Sequence, residues 1–179
     1  MERRQVLKAG GVAATAGLTG LAGCSSSNPD ESGETDTPSN GDTTTILMVT
    51  EGSDYYFDPI GLFVESGETI TFEIDSGSHS ATAYKKGNGQ ASVTRIPDGA
   101  EAFDSGILSE QGATFEHTFE TAGTHDYYCT PHKSLDMVGR IVVGEPGGPA
   151  EGSMPPDGDV PESQTIVDQG AVSYSDFSG

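Results

Sequence analysis

Apolar and polar residues alternate with a period of two through the middle of the chain. Residues 68–75 alternate cleanly, with isoleucine and phenylalanine on one face and threonine and glutamate on the other. Four further segments have strand-like patterns or composition: residues 45–49, 113–120, 125–129 and 138–143. A period of two places successive side chains on opposite faces of a strand. The pattern therefore predicts an all-β domain.

Turn-forming residues separate these segments, and no segment after residue 24 shows helical periodicity. The turn signals lie at Ser66-Gly67, Asn88-Gly89, Pro97-Asp98-Gly99 and Ala122-Gly123. Short strands punctuated in this way predict an antiparallel sandwich or barrel.

The distribution of large apolar residues sets the predicted domain limits. Leu, Ile, Val and Phe are concentrated in residues 45–145, whereas residues 24–44 contain none of them. Residues 146–179 contain five such residues, together with six acidic and no basic ones. A core therefore forms in residues 45–145, while residues 24–44 are predicted to be a flexible linker and residues 146–179 a disordered acidic tail. The alternative for the tail is that residues 166–177 pack as an extra edge strand.

The formal net charge of −20 excludes nucleic acid as a partner, because such a chain cannot neutralise phosphates. One interpretation of the charge is a solvated acidic surface that favours solubility. The other is adaptation to molar salt, where screening removes the self-repulsion of the acidic groups. The acidic residues are spread along the whole chain, which favours the second interpretation.

The first 23 residues have the features of an export signal. Arg3 and Arg4 precede a short Gly/Ala-rich stretch that is too short to span a bilayer but fits a signal peptide. The arginine pair resembles a twin-arginine signal. The Leu-Ala-Gly-Cys sequence that ends at Cys24 resembles a lipoprotein cleavage site, so Cys24 is predicted to carry the lipid and residues 24–44 to tether the domain. The alternative is a chance arginine pair and a stray cysteine.

The second cysteine, Cys129, lies in a Cys-x2-His-x4-Met sequence with His132 and Met137. A lipid on Cys24 leaves Cys129 without a disulfide partner, whereas the alternative is a Cys24–Cys129 disulfide. Soft sulfur and imidazole ligands suit copper in both oxidation states, and a His2Cys plane with a weak axial Met transfers electrons. Such a site needs one more histidine from elsewhere in the chain.

This loop, the Gly-x-x-x-Tyr-Tyr-Cys sequence before it and the Met-Val-Gly-x-Ile-Val-Val strand after it resemble the plastocyanin-like cupredoxins. The acidic, lipidated twin-arginine form is similar to the halocyanins of halophilic archaea. The resemblance covers residues 45–145 and implies a Greek-key β-sandwich or barrel with one copper ion that cycles between Cu(I) and Cu(II). It implies four copper ligands: His79, Cys129, His132 and Met137.

Two positions depart from the pattern of that family. Ser80 stands where Asn usually follows the first ligand, so the hydrogen bonds that support the ligands are expected to differ. His125 stands where the family favours Tyr. His117 and His125 lie within predicted strands and are expected to be structural. Tyr128 is left open as a position on an electron path.

The predicted function is single-electron transfer between membrane-bound redox proteins, such as cytochrome- or oxidase-type complexes. The protein would act as a monomer, anchored by its lipid to the outer face of the cytoplasmic membrane. The family resemblance implies that His132 lies near the surface under an apolar rim, which Leu62, Pro131 and Leu135 would form here, and partner docking is expected at that rim. The main alternative is a copper storage or delivery module. A copper enzyme would need further histidine-rich sites, and a metal-free adhesion domain leaves the ligand spacing unexplained.

Overall fold

The computed structural model describes residues 44–179. The predicted signal peptide of residues 1–23, the lipid site Cys24 and all of the predicted linker except Thr44 lie outside the described residues. In chain order the strands are β1 (Thr45–Glu51), β2 (Asp54–Asp58), β3 (Gly61–Val64), β4 (Glu68–Ile74), β5 (Thr82–Ala83), β6 (Thr114–Phe119), β7 (Gly123–Tyr128), β8 (Val138–Val143) and β9 (Ala171–Val172). The helices are α1 (Ser163–Gln169), α2 (Tyr174–Ser178) and a 3-10 turn (Lys133–Leu135).

The strands form two sheets, with the orders β2-β1-β4-β6 and β5-β7-β8-β3-β9. The predicted β-sandwich is therefore confirmed. The expected antiparallel pairing is incomplete, because β1 pairs with β4 and β3 pairs with β8 in parallel. The chain leaves the first sheet after β2 and re-enters it at β4, so β4 runs in the same direction as β1.

The inner face of β4 shows how the alternating pattern builds the core. Ile70, Phe72 and Ile74 are at most 1% exposed, and each contributes about 1.5–3 kcal/mol by leaving water. The ring of Phe72 packs edge-on against Tyr127 of β7, which joins the two sheets. The same apolar cluster contains Cys129 and Met137, so the predicted copper site is built into the core of the sandwich.

Residues 146–179, called here the C-terminal extension, differ from the predicted disordered tail. They contain α1, β9 and α2, and β9 pairs with β3 in the position of the alternative edge strand. Ile166 and Val172 are buried against Ile60 and Val142 of the sandwich. The extension has few apolar residues, but several of them are completely covered. No helix among residues 44–179 is long and apolar enough to cross a bilayer.

A buried carboxylate fixes the extension to the sandwich. Asp126 is 0% exposed and accepts hydrogen bonds from the Nε atoms of Arg95 at 2.7 Å and Arg140 at 2.8 Å. The guanidinium of Arg95 also donates to the carbonyl of Ala150 at 2.9 Å, and that of Arg140 donates to the carbonyl of Pro161 at 3.2 Å. Buried charges need such partners. The composition of residues 146–179 does not reveal this polar attachment, because the attachment depends on Arg95, Asp126 and Arg140, which lie outside the segment.

We expect Asp126→Asn to destabilise the fold by about 3–5 kcal/mol, because it leaves two buried guanidinium groups without a carboxylate. Urea denaturation of the copper-free protein measures the loss, and limited proteolysis reports release of the extension. The exposed Asp98→Asn is the control, with a change of no more than about 0.5 kcal/mol. An Asp126→Asn variant as stable as the parent would contradict this role.

Candidate metal centre

The ligand loop, residues 129–137, connects β7 to β8 in a closed conformation. The N–H of Cys129 donates to the carbonyl of Met137 at 3.0 Å, which joins the two ends of the loop. The N–H of His132 donates to the carbonyl of Cys129 at 3.2 Å, and the 3-10 turn follows directly. This tight path explains how a short spacing brings the side chains of Cys129 and His132 together.

His79 is held in the segment after β4 by bonds on both its backbone and its ring. Its backbone exchanges two hydrogen bonds with Leu108, at 3.0 and 2.8 Å. Its Nε2 lies 2.9 Å from the carbonyl oxygen of Ser76 and 3.0 Å from the hydroxyl of Thr50. A carbonyl can only accept, so Nε2 carries the proton and Nδ1 keeps a free lone pair.

Gly77 allows this close packing around His79. Its backbone has a φ of 83°, which favours glycine. A Cβ at this position would collide with the hydroxyl of Thr50 and would lie 2.9 Å from Nε2 of His79.

Three potential ligand atoms converge at one point. The Nδ1 atoms of His79 and His132 are 3.1 Å apart, and the Sγ of Cys129 lies 3.4 Å from His132 Nδ1 and 3.6 Å from His79 Nδ1. The centre of such a triangle is about 2.0 Å from each atom, close to the lengths of metal–imidazole and metal–thiolate bonds. Met137 is fully buried and belongs to the same apolar cluster as Cys129. The donor set therefore fits copper.

Burial sets the protonation of these groups in the absence of metal. It lowers the pKa of His79 to about 4, with a further contribution from His132, and it also lowers the pKa of His132. Both imidazoles are therefore neutral at pH 7, with lone pairs available for a metal. Burial raises the pKa of the Cys129 thiol to about 11. Metal binding must therefore displace a thiol proton.

Ser80 supplies the support that the sequence left open. Its N–H points at the Sγ of Cys129 at 3.4 Å, and its hydroxyl oxygen accepts the N–H of Thr130 at 2.8 Å. The same hydroxyl is 3.0 Å from that of Thr82. One buried serine thus ties the segment of His79 to the ligand loop, and its N–H favours the thiolate form of Cys129.

Sequence reasoning missed the aromatic residue that stacks on His132. The ring of Tyr55 lies parallel to that imidazole, with centroids 3.9 Å apart and planes 14° apart. Tyr55 is in β2, a strand that the alternation did not mark, and nothing in the sequence linked it to the site.

The predicted docking rim needs one correction. Leu62 lies in β3, is 2% exposed and pairs with Ile141, so it belongs to the core and is not on a surface. The side chain of Leu62 belongs to the main apolar cluster between the two sheets. Pro131 is exposed as expected, and Leu135 is 51% exposed.

The remaining histidines do not join the centre. His125 Nε2 donates to the carbonyl of Thr121 at 2.8 Å, and His117 packs against the ring of Phe103 at 4.7 Å. Within residues 44–179, the one group of His, Cys, Asp or Glu side chains that could hold a metal is His79, Cys129 and His132. The prediction that His117 and His125 are not ligands agrees with this grouping.

Tyr128 is closed off from solvent. It is 0% exposed, and its hydroxyl accepts the N–H of Gln90 at 2.7 Å and donates to the carbonyl of Asn88 at 3.1 Å. A partner protein cannot contact this ring directly, so the electron path left open for Tyr128 has no exposed end at that side chain.

A two-sheet sandwich with a buried His-Cys-His triangle at one end defines a cupredoxin. Residues 44–144, more than half of the chain, match the copper binding proteins of the plastocyanin/azurin family. The chain therefore belongs to that family. Its type 1 copper site is formed by His79, Cys129, His132 and Met137, as predicted. Proteins of this family are non-enzymatic electron carriers, which agrees with the prediction that the chain is not an enzyme.

Individual relatives match the same part of the chain. Halocyanin from Natronomonas pharaonis is 31% identical over 110 residues, which are 60% of this chain and 60% of the relative. Plastocyanin from Sambucus nigra is 28% identical over 103 residues, 55% of this chain and 97% of the relative. Among solved structures, a pseudoazurin from Sinorhizobium is 26% identical with a TM-score of 0.47, covering 70% of this chain and 91% of that one. The match thus spans about 60% of the length of halocyanin.

We expect the oxidised, copper-loaded protein to be intensely blue, because thiolate-to-Cu(II) charge transfer absorbs strongly in the visible range. Cys129→Ser should abolish that band, since a hydroxyl oxygen cannot replace the soft sulfur donor. Absorption spectra of Cu(II)-loaded proteins measure the effect. His117→Gln and His125→Gln serve as controls and should keep the band. A colourless copper-loaded parent protein would contradict the assignment.

Proposed function

We propose that this protein carries single electrons between membrane-bound redox proteins of the cytochrome or oxidase type. The observation that carries the proposal is the triangle of two imidazole nitrogens and one thiol, in which His79 and Cys129 are buried and His132 is only half-buried. Bound copper supplies one-electron cycling between Cu(II) and Cu(I) at this site.

The burial of the ligands favours this role over copper storage or delivery. Cys129 and His79 are 0% exposed, and the Ser80 bonds tie together the two segments that carry them. A site that passes its metal to another protein needs ligands that the receiver can reach. Here the receiver would meet Pro131, Leu135 and the edge of His132 first.

The surface around His132 is suited to short-range recognition. Tyr55 covers one face of the imidazole, and the exposed side chains of Pro131 and Leu135 lie in the same ligand loop. At molar salt the Debye length is about 3 Å, so the large negative charge cannot steer partners over long distances. Recognition at this end therefore depends on apolar contact, and it brings the metal site close to the docked protein.

The proposed location follows from the N-terminal sequence. A twin-arginine-type signal in residues 1–23 would export the folded protein, and lipid on Cys24 would hold it at the outer face of the cytoplasmic membrane. Residues 25–44 contain no Leu, Ile, Val or Phe and would act as a flexible tether. Adaptation to high salt, monomeric action and the membrane-bound partners belong to the same proposal.

We expect Leu135→Lys to slow electron transfer to a native membrane partner about tenfold at molar salt, because it places a charge in the apolar contact. Stopped-flow oxidation of the reduced protein measures the rate, and the visible spectrum should stay unchanged. Val93→Lys, which adds the same charge at another exposed apolar position, is the control. If neutralising Asp98 or Glu101 costs more than Leu135→Lys, docking depends on charge and this model is wrong.

We expect Cys24→Ser to move the exported protein from the membrane fraction to the soluble fraction, because a lipoprotein cysteine typically carries the chains that give stable anchoring. Fractionation followed by immunoblotting measures the distribution, with Ser25→Ala as the matched control. Equal partitioning of the Cys24→Ser variant and the parent would refute the anchor while leaving the copper function intact.

A further inference from the structure

The C-terminal extension contacts the ligand loop through one carboxylate. The Oδ2 of Asp157 lies 2.7 Å from the Nζ of Lys133 and accepts the hydroxyl of Tyr84 at 2.8 Å. Lys133 directly follows the ligand His132 and begins the 3-10 turn. The side chains of Lys133 and Asp157 are only 17% and 20% exposed, so salt screens this pair less than one on an open surface.

The neighbouring residue of the extension packs directly on the backbone of the loop. A Cβ at Gly158 would lie 3.1 Å from both the Cα and the carbonyl oxygen of Asp136, and 2.9 Å from a methyl group of Val138. Asp136 has a φ of 61°, a left-handed conformation that a non-glycine residue keeps only where its surroundings hold it. Asp136 directly precedes the ligand Met137.

A third contact of the extension is apolar and involves the first residue of β8. Val160 of the extension is 1% exposed and packs in one apolar cluster with Tyr84, Tyr128 and Val138. The Nζ of Lys133 also lies 5.6 Å from the centre of the Tyr128 ring. The segment 157–160 therefore contacts the loop and the start of β8 next to two of the three loop ligands: at Lys133, which follows His132, and at Asp136 and Val138, which flank Met137.

The segment 157–160 has a fixed position of its own. The buried ion cluster of Asp126, Arg95 and Arg140 holds the carbonyls of Ala150 and Pro161 on either side of it. A segment that is fixed at both ends can transmit the rigidity of the sandwich to the loop that it touches.

We propose that Asp157 and Gly158 are positioning residues for the copper-ligand loop, which hold His132 and Met137 in place while the metal is bound. The inference rests on the proposed role as an electron carrier, because a fixed loop limits rearrangement between the two oxidation states. It assigns a function to the extension, which lies beyond the part of the chain that the family match covers. Residues that orient metal ligands through such contacts change metal affinity by about 10–100-fold when they are replaced.

The test uses Asp157→Asn, which keeps an acceptor for Tyr84 but removes the charge that holds Lys133. Release of Cu(I) to an excess of chelator and electron self-exchange, followed by NMR line broadening, are measured on the loaded protein. We expect copper release to be about tenfold faster and self-exchange slower. Asp157→Glu should restore part of both, and combining Asp157→Asn with Lys133→Met should add little to either single change.

Asp159→Asn is the matched control, since it makes the same change of charge two residues away at an exposed side chain without an ion pair among residues 44–179. It should leave copper release within twofold of the parent. Gly158→Ala is a second variant, and its added methyl should alter the visible spectrum by displacing Asp136.

Three outcomes would overturn the proposal: release from Asp157→Asn within twofold of the parent, an equal effect of Asp159→Asn, or release that changes only in proportion to the free energy of unfolding measured in urea. None of these measurements uses a redox partner. Failure of this inference is therefore distinguishable from failure of the proposed electron-carrier function, which is tested by transfer to a membrane partner.

Discussion

The structure depends on bringing a thiol and two imidazoles within 3.6 Å of one another inside an apolar core. Burial opposes the charged forms of all three groups, so the metal-free imidazoles are neutral and the Cys129 thiol keeps its proton. The protein must therefore keep three neutral polar groups in a fixed orientation inside an apolar core. It does so by giving each a fixed second contact: Ser76 on His79, Tyr55 on His132 and the N–H of Ser80 on Cys129.

The few cations of the chain have structural positions that fit its acidic surface. Residues 44–179 contain five basic residues. Three of them, Arg95, Lys133 and Arg140, form ion pairs that are largely buried. Lys133 pairs with a carboxylate of the C-terminal extension, and the two arginines also donate hydrogen bonds to carbonyls of the extension. Salt screens exposed pairs strongly and buried pairs much less. At high salt, positive charge therefore stabilises a fold best when it is buried next to a carboxylate.

Sequence reasoning could predict the features that depend on neighbouring residues. The alternation in β4 gave its buried face, and the Cys-x2-His-x4-Met spacing gave the ligand loop, because one tight turn determines how those side chains point. The His79 assignment came from the family resemblance. Tyr55 and the Lys133–Asp157 pair could not be predicted, since each joins residues that only the packing of sheets and extension brings together. The prediction that residues 146–179 are disordered was wrong for the same reason. It was based on the low apolar content of the segment, whereas the segment is also held by hydrogen bonds from Arg95 and Arg140 to its carbonyl groups.

The position of the extension also bears on how electrons leave the site. Tyr128 lies on the opposite face of β7 from Tyr127, whose ring is in the core. Because Tyr128 directly precedes Cys129, its ring would be a second path for electrons from the site to the surface. Val160 and Lys133 cover that ring, and its hydroxyl is bonded to the chain between residues 88 and 90. The ring of His132, by contrast, is half-buried, and its loop also contains the exposed residues Pro131 and Leu135. The segment that contacts the ligand loop thus covers Tyr128, whereas His132 stays partly exposed. Under the proposed function, electrons would therefore be exchanged through His132, and the contacts proposed to fix the loop would also cover the Tyr128 side.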